Sequence, residues 1–292
     1  MHTVGLVLHP QRDSAEAVNA VLEWAGRHSI QVLGIGDEIV RLQCAAVAVS
    51  SDELGRRSDL IVSLGGDGTM LRAMRLADGQ RAPTDHIAPV LGVNLGKLGF
   101  LAEIDVPDLP AALSAVDAQD YSVEPRLAVD AVLSGKEVTA FNDIAVVRYP
   151  GQGSAKVAVR VADHPFVSYA ADAVVVATPT GSTAYSFSAG GPIVNPSVEA
   201  LLVTPASPHS AFSRGLVLSV TDSLALDILD GSGELAVEVD GQVEGRVAEG
   251  DSIEVRPRPA AGRVVRFGRT TFYQRARRKL RLTDSPEIPT ES

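Results

Sequence analysis

Asp67 stands among glycines. In LIVSLGGDGTMLRAM, Leu60 to Met74, Gly65 and Gly66 precede it and Gly68 follows. The apolar run Leu60, Ile61, Val62 and Leu64 predicts a covered parallel strand. Met70, Leu71, Met74 and Leu76 recur at helical spacing, with Thr69 placed to cap that helix. The glycines thus fall in a tight strand-to-helix turn, where they permit unusual backbone angles and let a ligand approach the main chain. The helix start brings free N–H groups and partial positive charge, a seat for phosphate. A carboxylate there repels phosphate unless it holds a metal or takes a proton from a hydroxyl. Alone, the pattern fits a Gly-rich turn with an N-capping Asp equally well.

A second stretch, ADAVVVATPTGSTAYSFSAGGPIV (Ala171 to Val194), gathers Thr178, Thr180, Ser182, Thr183, Ser186 and Ser188 in one loop. Turns favour such residues, but that does not account for Asp172 before the strand or Tyr185 within the loop. Hydroxyls and amides read the edge of a purine, and a flat Tyr packs on its face. Asp172 can accept hydrogen bonds from a ribose or an amide. A third stretch, FNDIAVV, sets Asn142 beside Asp143, either as a turn or as a donor and acceptors suited to a vicinal diol.

Other chemistries lack their signatures. GVNLGKLG (Gly92 to Gly99) is too short for a Walker A loop, and Leu98 stands where a magnesium-binding hydroxyl is needed. Gly34 and Gly36 find no third glycine for a dinucleotide fingerprint. The six histidines are scattered without metal-site spacing, so no dedicated metal-ligand set is expected. A net charge of −10 argues against nucleic-acid or membrane-surface partners. The single cysteine, Cys44, excludes an internal disulfide and reads as a buried small hydrophobe in a reducing compartment. No apolar stretch approaches the ~20 residues of a membrane helix, and the first residues lack the shape of a signal peptide. A cytoplasmic protein is expected.

The elements that must position these residues fall into two textures. Residues 1–120 alternate strands and helices, predicting a parallel sheet with helices on its faces. Ser14 is expected to cap a helix that carries Ala17, Val18, Val21, Leu22 and Ala25 on one face. From 121 to 267 short strands alternate apolar and polar residues between Gly-containing turns, predicting an antiparallel sandwich. The basic run Arg275, Arg277, Arg278, Lys279 and Arg281 reads as a solvated face or one docked on the acidic body. Residues 284–292 are expected to be a disordered tail.

GGDGTMLR (Gly65 to Arg72), PVLGVNLGKLGFLAE (Pro89 to Glu103), FND (Phe141 to Asp143) and TPTGSTAYSFSAGGPI (Thr178 to Ile193) together resemble the NAD kinase family. GGDGT alone is shared with diacylglycerol and sphingosine kinases, whereas the Asn-acidic pair and TPTGSTAY are far more specific. The resemblance runs in order over nearly the whole chain. It implies an α/β domain over 1–120 completed by 268–283, and a β-sandwich NAD-binding domain over 121–267, the diacylglycerol kinase-like plan. It implies Mg²⁺-dependent transfer of the ATP γ-phosphoryl group to the 2′-hydroxyl of the adenosine ribose of NAD, giving NADP. Polyphosphate is an alternative donor, and a homodimer or homotetramer is implied, with NAD near a subunit boundary. Rival readings are a lipid kinase of the same plan and a non-catalytic NAD-binding regulator.

Carried over by position, Asp67 is the catalytic residue, and Gly65, Gly66, Gly68 and Thr69 hold phosphate. Gly68 also contacts NAD, and Arg72, on the first turn of the helix, faces phosphate. Asn142 and Asp143 grip the adenosine, while Thr183, Ala184, Tyr185, Ser186, Phe187 and Ser188 line the adenine pocket. Asp172 reaches the nicotinamide side, with Gln242 a weaker candidate. The sequence departs from the family in carrying Asp143 where Glu is common. It also has Ala170 and Ala173 where Arg and Gly flank the aspartate of the strand.

Overall fold

The computed structural model describes residues 1–78, 87–96, 99–209 and 212–282. Leu98 and the tail 284–292 lie outside the described residues. The chain divides into two compact units, Met1–Glu124 with Arg263–Ser292, and Pro125–Gly262.

In the first unit the chain runs β1 (Thr3–Leu8), α1 (Ala15–Arg27), β2 (Gln31–Ile35), α2 (Gly36–Leu42), β3 (Val47–Val49), α3 (Ser51–Arg57), β4 (Leu60–Gly65), α4 (Asp67–Asp78), β5 (Val90–Asn94), β6 (Ile104–Asp105) and α5 (Leu109–Asp117). The strands are parallel in the order β3-β2-β1-β4-β5, with β6 beside β5. Strand order reverses between β1 and β4. Open α/β sheets bind ligands outside the carboxyl ends of their strands at such a switch point, and β4 ends there on Gly65. Val4, Leu6, Leu8, Val62, Leu64, Leu91 and Val93 pack with Ala17, Val18, Val21 and Trp24 into one core.

Several local expectations are corrected. Ser14 precedes α1 but makes no side-chain cap; Asp13 Oδ1 accepts from Ala15 N at 2.9 Å instead, and Ser14 is buried. The short α2 and α3 were not predicted, because seven residues are too few to display a helical stripe. Cys44 is half-buried rather than buried, for β3 is an edge strand and covers little around it.

In the second unit the chain forms β7 (Ser122–Leu133), β8 (Lys136–Ala140), β9 (Asp143–Arg148), β10 (Ala155–Val161), β11 (His164–Ala171), β12 (Ala173–Ala177), α6 (Tyr185–Ser188), β13 (Ala200–Ala206), β14 (Leu216–Ser219), β15 (Leu224–Ile228), β16 (Leu235–Val239), β17 (Gln242–Val247) and β18 (Ser252–Arg266). β7 enters this unit from the first and β18 leaves it, followed by α7 (Phe272–Leu280) in the first. One antiparallel sheet has the order β14-β13-β12-β9-β16-β17. Facing strands β10, β11 and β15 pair antiparallel, and β15 pairs β18. Alternate residues of both layers, among them Ile144, Val146, Val174, Val176, Val157, Val159 and Leu226, meet in the core between them. The antiparallel, two-layered plan matches the alternation in the sequence. β13 was missed: ALLVTPA is buried at every position, so it shows no alternation.

Candidate active site

The site residues of the first unit gather at the carboxyl end of β4. α4 begins at Asp67 itself, so Gly66 occupies the cap position and Thr69 lies inside the helix, not before it. Gly66 O accepts from Thr69 N at 3.0 Å and from Met70 N at 3.1 Å. Gly65, Gly66 and Gly68 do not take the left-handed backbone that glycine favours, against expectation. Their value is space. A Cβ on Gly65 would strike Thr69 Oγ1, while positions 66 and 68 open onto free space beside the helix start. Gly68 is exposed and Thr69 buried.

The Asp67 carboxylate is held on both oxygens. Oδ2 accepts from Phe100 N and Oδ1 from Leu101 N, each at 3.0 Å. Gly99 makes this approach possible, because a Cβ there would lie 2.1 Å from Oδ1. Each oxygen spends one lone pair on an amide and keeps another for a ligand. Residues 99–101 thus join the site, a link that no spacing in the sequence discloses. Arg72 is in the second turn of α4, not the first, and its guanidinium turns to Glu38 and to Leu8 O. Glu38 also accepts from Leu8 N at 2.8 Å. Arg72 is therefore engaged by α2 and the end of β1 rather than by the glycine turn.

The second unit brings together the other two stretches. Asp143 opens β9, with Asn142 just before it, and β9 pairs with β12 through Asp143↔Ala177. Thr178, at the end of β12, donates its N–H to Asn142 O at 2.8 Å and its hydroxyl to Phe141 O at 2.6 Å, and accepts from Gly181 N at 3.1 Å. Gly181 passes so close that a Cβ would lie 2.1 Å from Asn142 O. The glycine and the threonine hydroxyl therefore staple the TPTGSTAY turn to the Asn-Asp pair.

The loop hydroxyls divide by use. Ser182 Oγ bonds both ways to Val194, donating to its carbonyl at 3.1 Å and accepting from its amide at 3.0 Å. Ser186 Oγ pairs with Thr204 Oγ1 at 3.0 Å and is fully buried. These two hold the loop shut from inside. Thr183, Ala184 and Tyr185 are half-buried, and Phe187 and Ser188 are exposed. The Tyr185 ring packs against the small cluster of Ala145, Val175, Ala177 and Leu202. Burial, and then the carboxylates of Glu238, Asp172 and Asp143, push its phenol pKa up.

Asp143 is buried. Desolvation, then the charge of Asp240, then that of Glu238, raise its pKa to about 7 against a hydrogen bond from the Tyr185 backbone N–H. Asp240 is a residue the sequence reading missed. Its carboxylate accepts from Phe141 N (3.3 Å), Asn142 N (2.7 Å) and Asp143 N (3.4 Å). The signal was present in the DGQ turn, whose other polar side chain, Gln242, is exposed. Asp172 pairs with Arg148 Nε at 2.5 Å, and that bond leads the causes that hold its carboxyl below the usual range. Arg148 lies on β9, the strand paired with β12.

Comparison with known proteins decides the family. Residues 4–121 match the model of the ATP-NAD kinase N-terminal domain, and 141–267 that of the ATP-NAD kinase C-terminal domain. The NAD kinase of Heliobacterium modesticaldum is 40% identical over 289 residues, covering 96% of this chain and 99% of that protein. The chain belongs to the NAD kinase family. The NAD kinase of Desulforamulus reducens is 38% identical, covering 96% of this chain and 98% of its own length. A crystal structure of an NAD kinase from Archaeoglobus fulgidus in complex with ATP superposes with a TM-score of 0.73 at 26% identity, over 96% of this chain and 98% of that one. Yeast NADH kinase complexed with NADH shares the fold, with a TM-score of 0.86 at 24% identity over 99% of this chain and 90% of that one. The chain is thus an enzyme, a phosphotransferase of the NAD kinase family. Among the described residues no helix is long and apolar enough to cross a membrane.

Proposed function

We propose that this kinase transfers the γ-phosphoryl group of ATP to the 2′-hydroxyl of the adenosine ribose of NAD, yielding NADP, ADP and a proton. The observation that carries the reading is the Asp67 carboxylate, fixed at the head of α4 by two backbone amides with lone pairs still free. Asp67 accepts a hydrogen bond from the 2′-hydroxyl and aims its oxygen at the γ-phosphorus. The new O2′–P bond forms as the bond from the γ-phosphorus to the β,γ-bridging oxygen breaks, and the hydroxyl proton passes to Asp67. Positioning and charge stabilisation account for most catalysis of this kind. Of the first-turn amides of α4, those of Asp67 and Gly68 face the phosphate oxygens, Thr69 N and Met70 N being bonded to Gly66 O. Asn142 and Asp143 hold the adenosine, Thr183 to Ser188 line the adenine, and Asp172 serves the nicotinamide side.

A divalent cation such as Mg²⁺ binds through one or two carboxylates plus substrate phosphates. Asp67 fits that requirement, since each of its oxygens keeps a free lone pair. When bound, the ion would neutralise phosphate charge. Arg72 would reach phosphate only by leaving Glu38. The single cysteine and the net charge of −10 support a cytoplasmic enzyme, and family membership supports a homodimer or homotetramer, with polyphosphate as an alternative donor. Incubation with Mg-ATP and NAD, with Mg-ATP and diacylglycerol, or with polyphosphate and NAD tests the reading. NADP must form in the first mixture; phosphorylated lipid without NADP overturns it.

A further inference from the structure

The basic C-terminal segment has no place in the chemistry above, and its first arginine, Arg275, is not solvated; nor is Arg266, at the end of β18. Arg275 and Arg266 are 2% and 5% exposed, so Arg275 takes the docked alternative rather than the solvated one. Burial, followed by the neighbouring Arg266 guanidinium, draws the Arg275 pKa down, while Glu103, Glu124 and Asp67 draw it up. Arg266 donates Nη1 to Leu101 O at 2.6 Å and Nε to Glu124 Oε2 at 2.8 Å. Leu101 is the residue whose amide holds Asp67 Oδ1. The same peptide strand therefore carries a donor to Asp67 and an acceptor for Arg266.

Two residues on, Glu103 closes the connection from the other side. Its carboxylate accepts from Phe267 N at 3.1 Å, Arg269 N at 2.7 Å and Thr270 N at 3.2 Å. Arg275 Nη1 in turn donates to Thr270 O at 2.6 Å, fixing that turn against α7. Every link runs within the first unit. A buried guanidinium is a poor device for stability alone, since an apolar group of like volume commonly does as well or better, and Arg266 Nη2 finds no protein acceptor among the described residues.

We infer that Arg266, latched by Glu103 and the turn before α7, is a positioning residue for phosphoryl transfer, fixing the Leu101 backbone by its carbonyl so that the Leu101 N–H orients the Asp67 carboxylate. The inference rests on the catalytic reading of Asp67. Arg266→Lys keeps the charge and loses the forked geometry that spans Leu101 and Glu124. Small misplacements of a catalytic group are costly, up to ~100-fold for about 1 Å. The expected result is a kcat about tenfold lower, with KM for NAD and ATP within about twofold of native.

The deciding measurement is a double-mutant cycle with Asp67→Asn. If Arg266 acts through Asp67, adding Arg266→Lys to Asp67→Asn lowers the residual kcat by less than about twofold. A second full tenfold loss in that background overturns the inference, as does a native kcat in Arg266→Lys or a loss confined to KM. Should Arg266→Lys fail to fold by thermal melting, Glu103→Gln, which loosens the same latch at three amides, is put through the same cycle with the same criteria. Native turnover in Asp67→Asn alone would instead remove the catalytic reading itself, which separates the two failures.

Discussion

Asp240 and Asp143 hold each other by the backbone: Asp240 N donates to Asp143 O at 2.9 Å, and the Asp240 carboxylate accepts from Asp143 N at 3.4 Å. The pairing sets a second carboxylate near the buried Asp143 side chain and helps to raise its pKa to about 7. Ribose hydroxyls donate best to the ionised form. NAD binding should therefore strengthen as pH rises through about 7, by about tenfold between pH 6 and pH 8, the change in ionised fraction for a single such group. Equilibrium titration of NAD across that range checks it. A flat profile in the native enzyme, or the same slope retained in Asp143→Asn, would remove Asp143 from ribose recognition.

The same group sets a trend in stability. Its folded pKa of about 7 lies above its ordinary value of 3.8. The folded state therefore holds a proton that the unfolded chain has released between those values. Stability contributed by protonated Asp143 is full below about pH 4, falls as pH rises towards about 7, and is lost above it. Asp143→Asn should flatten that slope and melt higher than the native protein at pH 8. Melting curves at pH 5 and pH 8 for both proteins decide it; equal slopes would mean that the carboxylate is not held neutral.

Gly99 offers a test of the Asp67 geometry without touching the carboxylate. A Cβ at 2.1 Å from Oδ1 forces one or the other to move. Gly99→Ala should lower kcat by about tenfold to 100-fold, the scale of a misplaced catalytic group. KM for ATP and NAD should change little. Steady-state kinetics with a melting control read this directly, and native turnover in a well-folded Gly99→Ala would show that the amide-held position of Asp67 is not the working one.

Asp67→Asn removes the charge and one acceptor. The new amide must point its NH₂ at either the Phe100 or the Leu101 N–H, which conflicts with the observed bonds. A stability loss of about 1–3 kcal/mol follows from one unmade bond. Turnover should fall at least ~100-fold, the low end for acid-base groups, with NAD affinity within a few-fold. Single-turnover kinetics beside equilibrium binding separate the two effects; turnover close to native would end the catalytic assignment.

The parallel sheet and the antiparallel layers were legible because their periodicities differ: continuous apolar runs with intervening helical stripes in one, strict alternation in the other. GGDGT alone fitted a Gly-rich turn equally well; it became legible only together with the Asn-Asp pair and TPTGSTAY, where a turn does not account for Asp172 or Tyr185. What stayed hidden is of another kind. Phe100 and Leu101 bind Asp67 through amides that every residue carries, so no side-chain type announces them. Asp240 sits in an ordinary turn, and its role appears only when β16 brings that turn beside Asn142. The run from Arg275 to Arg281 left a solvated and a docked face open because a basic run gives no sign of which guanidinium folds inward, and Arg266 carried no signal at all. Thr69 was misassigned because capping depends on a shift of one or two residues in where the helix begins, whereas Ser14 stands at the cap position of α1 but its side chain accepts no cap bond.

Tyr185 separates an adenine contact from a core contact. Its ring is half-buried against Ala145, Val175, Ala177 and Leu202, and its amide supports Asp143 whatever the side chain is. Removing the ring must therefore cost some stability, while leaving the backbone bond in place. A base stacked on an aromatic face gains ~1–3 kcal/mol in nucleic-acid binders. That contact is made in the ground and transition states alike, so its loss falls on KM rather than kcat. Tyr185→Ala should raise KM for NAD by about fivefold to 100-fold with kcat within about threefold, and Tyr185→Phe should keep KM near native because the phenol is not needed for stacking. Kinetics of both variants, measured well below their melting temperatures, distinguish the cases. An unchanged KM in Tyr185→Ala with only a lower Tm would assign the ring to the sheet and not to the nucleotide.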